Sequence, residues 1–559
     1  MEIRQDISGW QVRWDAARAA RWMREGQWLD RTVADAVRDA AATQPGRVTQ
    51  VCGGQAVTAA QVWEGATRLA AALWQRGFRA GDVLAFQTPN WHEAVFIDVA
   101  AALLGVVVCP IVTIYRDSEV QLILDDSRAK GIFTAGNFRG FDHLAMMTRL
   151  RAKLPHLAHV WTVRGDAQSS GANGDLRDLL AEAAPLPALP PVAPEAVKLV
   201  LYTSGTTGRP KAVLHSHNTL ARATLMCARH WGIAPGDTTL MPSPVTHVTG
   251  FCHGLEMPFL GGTRCVLMDK WDAAEAADII EREQVAFTIG ATPFLQELMD
   301  VAERTGRTLP SLRLFPCGGA AVAPEIILRV ARVLPRCRAF RVYGSSEAPM
   351  ITLGFCAPGQ ERLAAETDGE IIDYEVRVES PDGRALGIGE EGELCARGPS
   401  LFLGYADPGQ TAEVFDAQGF FHTGDIGYVT ADRAIVFTGR IKDLINRGGE
   451  KISAKEVEDL LHQHPGVMNA AVVAMPHARL GETVCAYVIP RPDAKLKAED
   501  ITALLDAAGV ARQKYPERII FVEDFPKTAS GKIKKDLLRA DALERLKTTP
   551  SGRSELWRK

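Results

Sequence analysis

The sequence predicts an α/β protein: a large N-terminal domain of α/β layers with a small antiparallel barrel or sheet, followed by a small α+β C-terminal domain. Three observations carry this expectation. The chain has 559 residues, far beyond the size at which a single hydrophobic core stops growing. Short β-branched runs alternate with alanine- and leucine-rich helical stretches, the signature of layered α/β architecture. Beyond Thr367 the pattern changes to short strands punctuated by glycine.

Taken in order, residues 1–26 are charged and amphipathic and contain no apolar core of a secretory signal, so a cytoplasmic location is expected. Residues 58–76 read as a helix, and Val83-Leu84-Ala85-Phe86, residues 105–109, 131–134 and 160–163 as strands. The most apolar stretch, 94–112, is interrupted by Asp98, Gly105 and Pro110, which fits a buried helix and strand rather than a membrane span. The Pro/Ala-rich segment 185–194 reads as a surface loop leading into a buried strand at 197–202. Near the C-terminus, Ser453-Ala454-Lys455-Glu456 is a capping box that opens a helix with Val457, Leu460 and Leu461 inward, and Pro465-Gly466 closes it. Strands follow at 470–475, 483–489 and 518–522. The boundary falls near 439–443, giving expected domains 1–440 and 441–559.

Charge and cysteine usage narrow the function classes. A formal net charge of -4 leaves no electrostatic footprint for nucleic acid or an anionic membrane. The 10 cysteines are scattered, none in a C-x-x-C pair, and are expected to be small buried hydrophobes with free thiols. His215-Ser216-His217 and His462-Gln463-His464 have no acidic or cysteine partner at ligand spacing, so no zinc site is expected there.

The chemistry-bearing stretch is Tyr202-Thr203-Ser204-Gly205-Thr206-Thr207-Gly208-Arg209-Pro210-Lys211. Glycines let backbone N–H groups crowd round an anion, hydroxyls add donors and Lys211 adds charge, which together suit a polyphosphate. The spacing is not that of a P-loop. A flexible linker would not sit between the apolar runs VKLVLY and KAVLHS.

Further motifs recur in register. They are Tyr343-Gly344-Ser345-Ser346-Glu347, Phe421-His422-Thr423-Gly424-Asp425, Gly439-Arg440-Ile441-Lys442-Asp443 with Gly448-Gly449-Glu450-Lys451-Ile452, and Pro526-Lys527-Thr528-Ala529-Ser530-Gly531-Lys532-Ile533. With these five segments the chain resembles the adenylate-forming superfamily of acyl-CoA synthetases, adenylation domains and luciferases, over nearly its whole length.

The resemblance implies ATP, Mg²⁺ and coenzyme A as the molecules used with a carboxylic acid. Thr203, Ser204, Gly205, Thr206, Thr207, Gly208 and Lys211 would hold phosphates. Gly319, Ala320, Tyr343 and Gly344 would border the nucleotide, Asp425 and Arg440 would reach the ribose, and Ser346 would offer its hydroxyl to the α-phosphate or carboxylate. Glu347 would ligate Mg²⁺, for which a carboxylate is a suitable hard ligand. Lys532 would bridge carboxylate and α-phosphate. His247 would gate an acyl site formed with Gly290, Gly318, Gly344 and Met350, and Gly448 and Gly449 would line a pantetheine tunnel. The C-terminal domain would be a mobile cap turning about Lys442.

The segments expected to line the acyl pocket carry no charge, so a second carboxylate or an amine would be stranded there. The expected substrate is a neutral medium-chain, alicyclic or aromatic acid, and Gly318→Leu or Gly344→Leu is expected to shorten the acid accepted. No carrier-protein-like extension is visible, which favours free coenzyme A. No integral membrane association is expected, and a monomer or homodimer fits equally. Lys532, expected on an exposed basic loop, is also a candidate target for a lysine acetyltransferase, which would remove its charge.

Overall fold

The computed structural model describes residues 2–548 except 166–171, 183–184, 204–209, 320–321, 493 and 529–531. Two seven-stranded sheets form the bulk of the chain. In the first, the order is His159–Val163, Gly131–Ala135, Val83–Gln87, Val107–Pro110, Val197–Thr203, Lys211–Ser216, Gly404–Tyr405. It is parallel as far as Val197–Thr203 and antiparallel beyond. The second runs Arg338–Val342, Leu314–Gly318, Val285–Thr288, Thr238–Met241, Arg264–Leu267, Val48–Cys52, Gln55–Thr58, parallel except for its terminal hairpin.

The helix Glu93–Leu104 is buried on every side, including Val95, Ile97 and Ala101, and belongs to one core shared by both sheets. This accounts for the apolar run without a membrane span. Among the described residues no helix is long and apolar enough to cross a membrane. The following strand begins two residues later than expected because Gly105 takes a left-handed conformation, φ 67°, that caps the helix. The helix Ala59–Gln75 starts at a full capping box between Thr58 and Gln61.

After residue 367 a four-stranded antiparallel sheet, in the order Glu375–Glu379, Gly392–Arg397, Phe421–Val429, Ile435–Arg440, occupies the place expected of the small barrel or sheet. The chain leaves it at Arg440, makes a 3₁₀ turn over Ile441–Asp443 and enters a five-stranded sheet at Leu444. In that sheet Ala470 and Val472 face one cluster with Val457 and Leu461, whereas Ala471 and Val473 face the other with Leu538 and Ala542. Period-two alternation along Val467–His477 thus lets helices pack on both faces. The capping box at residue 453 is half formed: Ser453 accepts from the Glu456 amide, while the Glu456 carboxylate pairs with Lys514. The 10 cysteines are all free thiols, and only Cys356 is not fully buried.

Candidate functional site

Four parallel strands of the second sheet end at one place. Gly318 and Val342 are the last residues of their strands, Ile289 and Gly290 follow Val285–Thr288, and Ser243 follows Thr238–Met241. These residues line one cavity. Carboxyl ends of parallel strands are where α/β sheets expose loops that can meet a ligand. Of the expected acyl and catalytic residues, His247, Gly290, Gly318, Gly344, Ser346, Met350 and Lys532 share this cavity, together with Gly319.

Lys532 reaches the cavity from the C-terminal segment. Its side chain lies so close over Gly319 that a Cβ there would stand 3.3 Å from Lys532 Cε. It is half-buried rather than on an open loop as expected, so a modifying enzyme would need this segment withdrawn. Burial, and then the positive charge of Arg440, push its pKa down to about 8, against the pull of Asp425 and Glu347. Burial followed by Lys532 pushes His247 down to about 4, leaving it a neutral imidazole. The Thr249 amide donates to His247 Nδ1 at 3.4 Å, so the ring proton belongs on Nε2.

A second group surrounds Asp425. Tyr343 donates its hydroxyl to Asp425 Oδ2 at 2.8 Å, and Arg440 Nε donates to Oδ1 at 3.0 Å. The Tyr343 ring lies 6.0 Å from that of Phe437, nearly parallel. Both oxygens of Asp425 are thereby oriented, and each keeps a lone pair for a hydroxyl donor. Glu393 sets the turn beneath: its Oε1 accepts from the Gly424 amide at 3.0 Å and its Oε2 meets His422 Nδ1 at 3.1 Å.

A third group contains Glu347, whose Oε1 accepts from the Tyr405 hydroxyl at 2.9 Å, while Lys211 Nζ stands 4.6 Å from the centre of the Tyr405 ring. Thr203 is half-buried at the end of its strand. Ser204, Gly205, Thr206, Thr207, Gly208 and Ala320 lie outside the described residues, as do Ala529, Ser530 and Gly531 of the C-terminal motif. Gly448 and Gly449 are elsewhere, on an exposed turn between Leu444–Arg447 and Glu450–Ser453, and Lys442 is exposed on the 3₁₀ turn.

Several site residues have no sequence signal of their own. His215, first weighed only as a metal ligand, is buried and neutral, pushed down to about 4 by burial. Its Nε2 donates to the Ser346 carbonyl at 2.7 Å and its Nδ1 meets Thr219 Oγ1 at 3.0 Å, so it holds the Ser346 loop. His462 bonds to the Glu458 carbonyl through Nδ1 and meets Asn469 Oδ1 through Nε2. Ala223, Cys252, His253, Ile289 and Val342 also line the cavity. Tyr405 and Phe437 are single aromatics in strands whose pairing brings them to the site.

One expectation is corrected. A Cβ on Gly318 would stand 2.5 Å from the Val342 carbonyl oxygen, and one on Gly344 2.5 Å from the Met350 amide nitrogen. Both glycines permit backbone to pack on backbone, so leucine at either position would displace the strand ends instead of filling the cavity. Met350 itself has φ 55°, a left-handed conformation that is costly for a side-chain-bearing residue.

Comparison with known proteins places these features in context. The AMP-binding enzyme family profile matches residues 37–406, and that of the AMP-binding enzyme C-terminal domain matches 456–532. The medium-chain fatty-acid–CoA ligase of Escherichia coli (strain K12) is 35% identical over 534 residues, covering 95% of this chain and 94% of that protein. The 2,3-dihydroxybenzoate-AMP ligase of Bacillus subtilis (strain 168) is 33% identical over 543 residues, covering 95% and 98%. The crystal structure of ATP-bound MatB from Rhodopseudomonas palustris superposes with a TM-score of 0.80 at 27% identity, covering 91% of this chain and 98% of that one.

Proposed function

The chain belongs to the AMP-binding, adenylate-forming enzyme family, and from that premise we propose that it joins a neutral, largely apolar carboxylic acid to the thiol of coenzyme A. The observation that carries this reading is the meeting of Lys532 and Ser346 with an uncharged cavity wall at the strand ends. A carboxylate is a poor electrophile because resonance and charge protect its carbon. In the first step a carboxylate oxygen bonds to the α-phosphorus of ATP, the bond from that phosphorus to the β-bridging oxygen breaks, and pyrophosphate leaves. The Lys532 ammonium neutralises charge where carboxylate and α-phosphate meet, and the Ser346 hydroxyl donates to the same oxygens.

Asp425, oriented by Tyr343 and Arg440, accepts from the ribose hydroxyls. Lys211, the first residue of its strand, meets the outer phosphates. The Glu347 carboxylate offers hard oxygen donors that suit Mg²⁺, which when bound supplies countercharge to the phosphates. In the second step the thiolate sulfur bonds to the acyl carbon and AMP leaves with the former carboxylate oxygen. The thiol proton goes to solvent. In this reading the chain divides near residue 440, the part beyond it turns about Lys442, and the turn at Gly448 and Gly449 replaces Lys532 at the site.

A relative named as an acid–AMP ligase at nearly the same identity makes the acceptor thiol the point to measure. The test is ATP–pyrophosphate exchange with octanoate, cyclohexanecarboxylate and benzoate against succinate and phenylalanine, followed by thioester formation with coenzyme A. Exchange with neutral acids and a thioester product support the reading. Exchange without any coenzyme A ester, or equal kcat/KM for the charged acids, overturns the corresponding half of it.

A further inference from the structure

One side chain of the cavity lining carries a buried ring nitrogen that the scheme above leaves unused. His253 lies on the π-helical segment Phe251–Glu256, is 2% exposed, and lines the same cavity as Lys532. Its ring lies 6.0 Å from Trp231, nearly parallel, and 6.1 Å from Phe287 at a steep angle, which fixes its plane. Nδ1 stands 3.0 Å from the Thr249 carbonyl oxygen. A carbonyl can only accept, so the proton is on Nδ1 and Nε2 presents a bare lone pair. Burial pushes the imidazole down to about 4, so Nε2 stays unprotonated at neutral pH.

Among the described residues nothing donates to Nε2. The neighbouring indole cannot serve, because Trp231 Nε1 donates to the Leu353 carbonyl at 2.6 Å. Nor can Ser243, whose hydroxyl is turned to the Ile289 carbonyl at 3.4 Å. A buried acceptor left without a donor is costly, and such atoms in cavities call for a partner from outside the protein.

We infer that His253 Nε2 accepts a hydrogen bond from a hydroxyl group on the acyl part of the substrate, so that the preferred acid is a neutral hydroxylated one rather than a plain hydrocarbon acid. This rests on the acid-ligase reading above and narrows its substrate class. A hydroxyl satisfies a neutral acceptor without bringing charge into the cavity. An ammonium group would donate equally well, yet it would enter a wall of Ala223, Ile289, Val342 and Met350 with no carboxylate to meet it.

The experiment compares kcat/KM for ATP–pyrophosphate exchange with cyclohexanecarboxylate and benzoate against their 2-, 3- and 4-hydroxy derivatives, in the wild-type enzyme. One positional isomer is expected to exceed its parent acid by about tenfold or more, since a site built to bond a hydroxyl penalises the analogue lacking it. His253→Phe, which keeps the ring stack and removes the acceptor, should bring that ratio toward one. His253→Gln, whose amide oxygen can reach the Nε2 position, should retain part of it. Parent acids used as well as every hydroxylated isomer by the wild-type enzyme would overturn the inference, as would a ratio unchanged in His253→Phe. Should that variant fail to fold, the wild-type ratios decide. Absence of exchange with every acid in the panel would instead remove the acid-ligase reading on which the inference stands.

Discussion

Lys532 has to carry charge into a cavity whose wall has none, and burial makes it an unusually weak base for a lysine. Its ammonium form is the working one, so adenylation kcat/KM, which reports ionisations of the free enzyme, is expected to fall as pH rises through about 8. Lys532→Arg keeps the charge at all accessible pH and should lose that alkaline limb. An unchanged limb in the arginine variant would assign it to another group. Lys532→Ala should lower exchange by about 10²–10³, the usual cost of deleting one transition-state stabiliser, while still converting a supplied acyl-adenylate to thioester. For cavity shape the useful position is Ala223, 2% exposed in the wall, because the glycines first considered support backbone contacts. Ala223→Leu should lower kcat/KM for ring acids by about tenfold or more relative to short acids, measured in the same exchange assay.

At the scale of elements, one buried cluster joins three of them. Lys198 on Val197–Thr203 pairs with Asp98 on Glu93–Leu104 and with Glu256 at the end of Phe251–Glu256, the segment that also carries Cys252 and His253. All three side chains are at most 2% exposed. Lys198→Met would strand two carboxylates and is expected to cost about 3–5 kcal/mol in denaturant unfolding, whereas replacing all three by apolar residues should cost far less. Burial pushes Glu256 up to about 7, partly offset by Lys198. A carboxyl that holds its proton more tightly when folded contributes stability below its unfolded pKa and loses that contribution as pH rises through the folded value. Thermal stability should therefore decline from about pH 5 to about pH 8, and Glu256→Gln should flatten the decline. A slope unaffected by Glu256→Gln would show that the proton resides elsewhere.

At the scale of the molecule, the proposed alternation uses two parts of the C-terminal segment for two half-reactions. Lys532 occupies the cavity while Gly448 and Gly449 stand away from it on an exposed turn. Gly449 has φ 96° with open space where a Cβ would stand, so any side chain strains the turn and only a large one adds bulk. Gly449→Leu should lose thioester formation and keep exchange, with Gly449→Ala as the control that shares the strain. Lys442→Pro, which restricts φ at the proposed pivot, should resemble Gly449→Leu if it holds the adenylation arrangement. Both half-reactions measured in these variants and in Lys532→Ala test the idea; parallel loss of both activities in every variant would refute it.

The amino-acid order alone determined the layered α/β class, the positions of several strands and helices and the family, because these depend on local periodicity, caps and contiguous motifs. The strands at 83–87, 131–135 and 197–203 and the helix at 59–75 were legible for that reason. Motif residues such as Tyr343, Asp425 and Arg440 were named by spacing, yet their mutual bonds join Asp425 to Tyr343, 82 positions away, and to Arg440, 15 positions away across a strand pairing, contacts that no local pattern encodes. His215, Tyr405 and His253 gave no local sign of what they contact. Each draws its role from what a distant strand or helix sets beside it: the Ser346 carbonyl for His215, the Glu347 carboxylate for Tyr405, and for His253 the cavity with the rings of Trp231 and Phe287. The same holds for Gly318 and Gly344, where the neighbour that forbids a side chain is another stretch of backbone. Periodicity and capping are properties of neighbouring residues, whereas a polar atom's partner and a glycine's clearance are fixed only when the sheets close on one another.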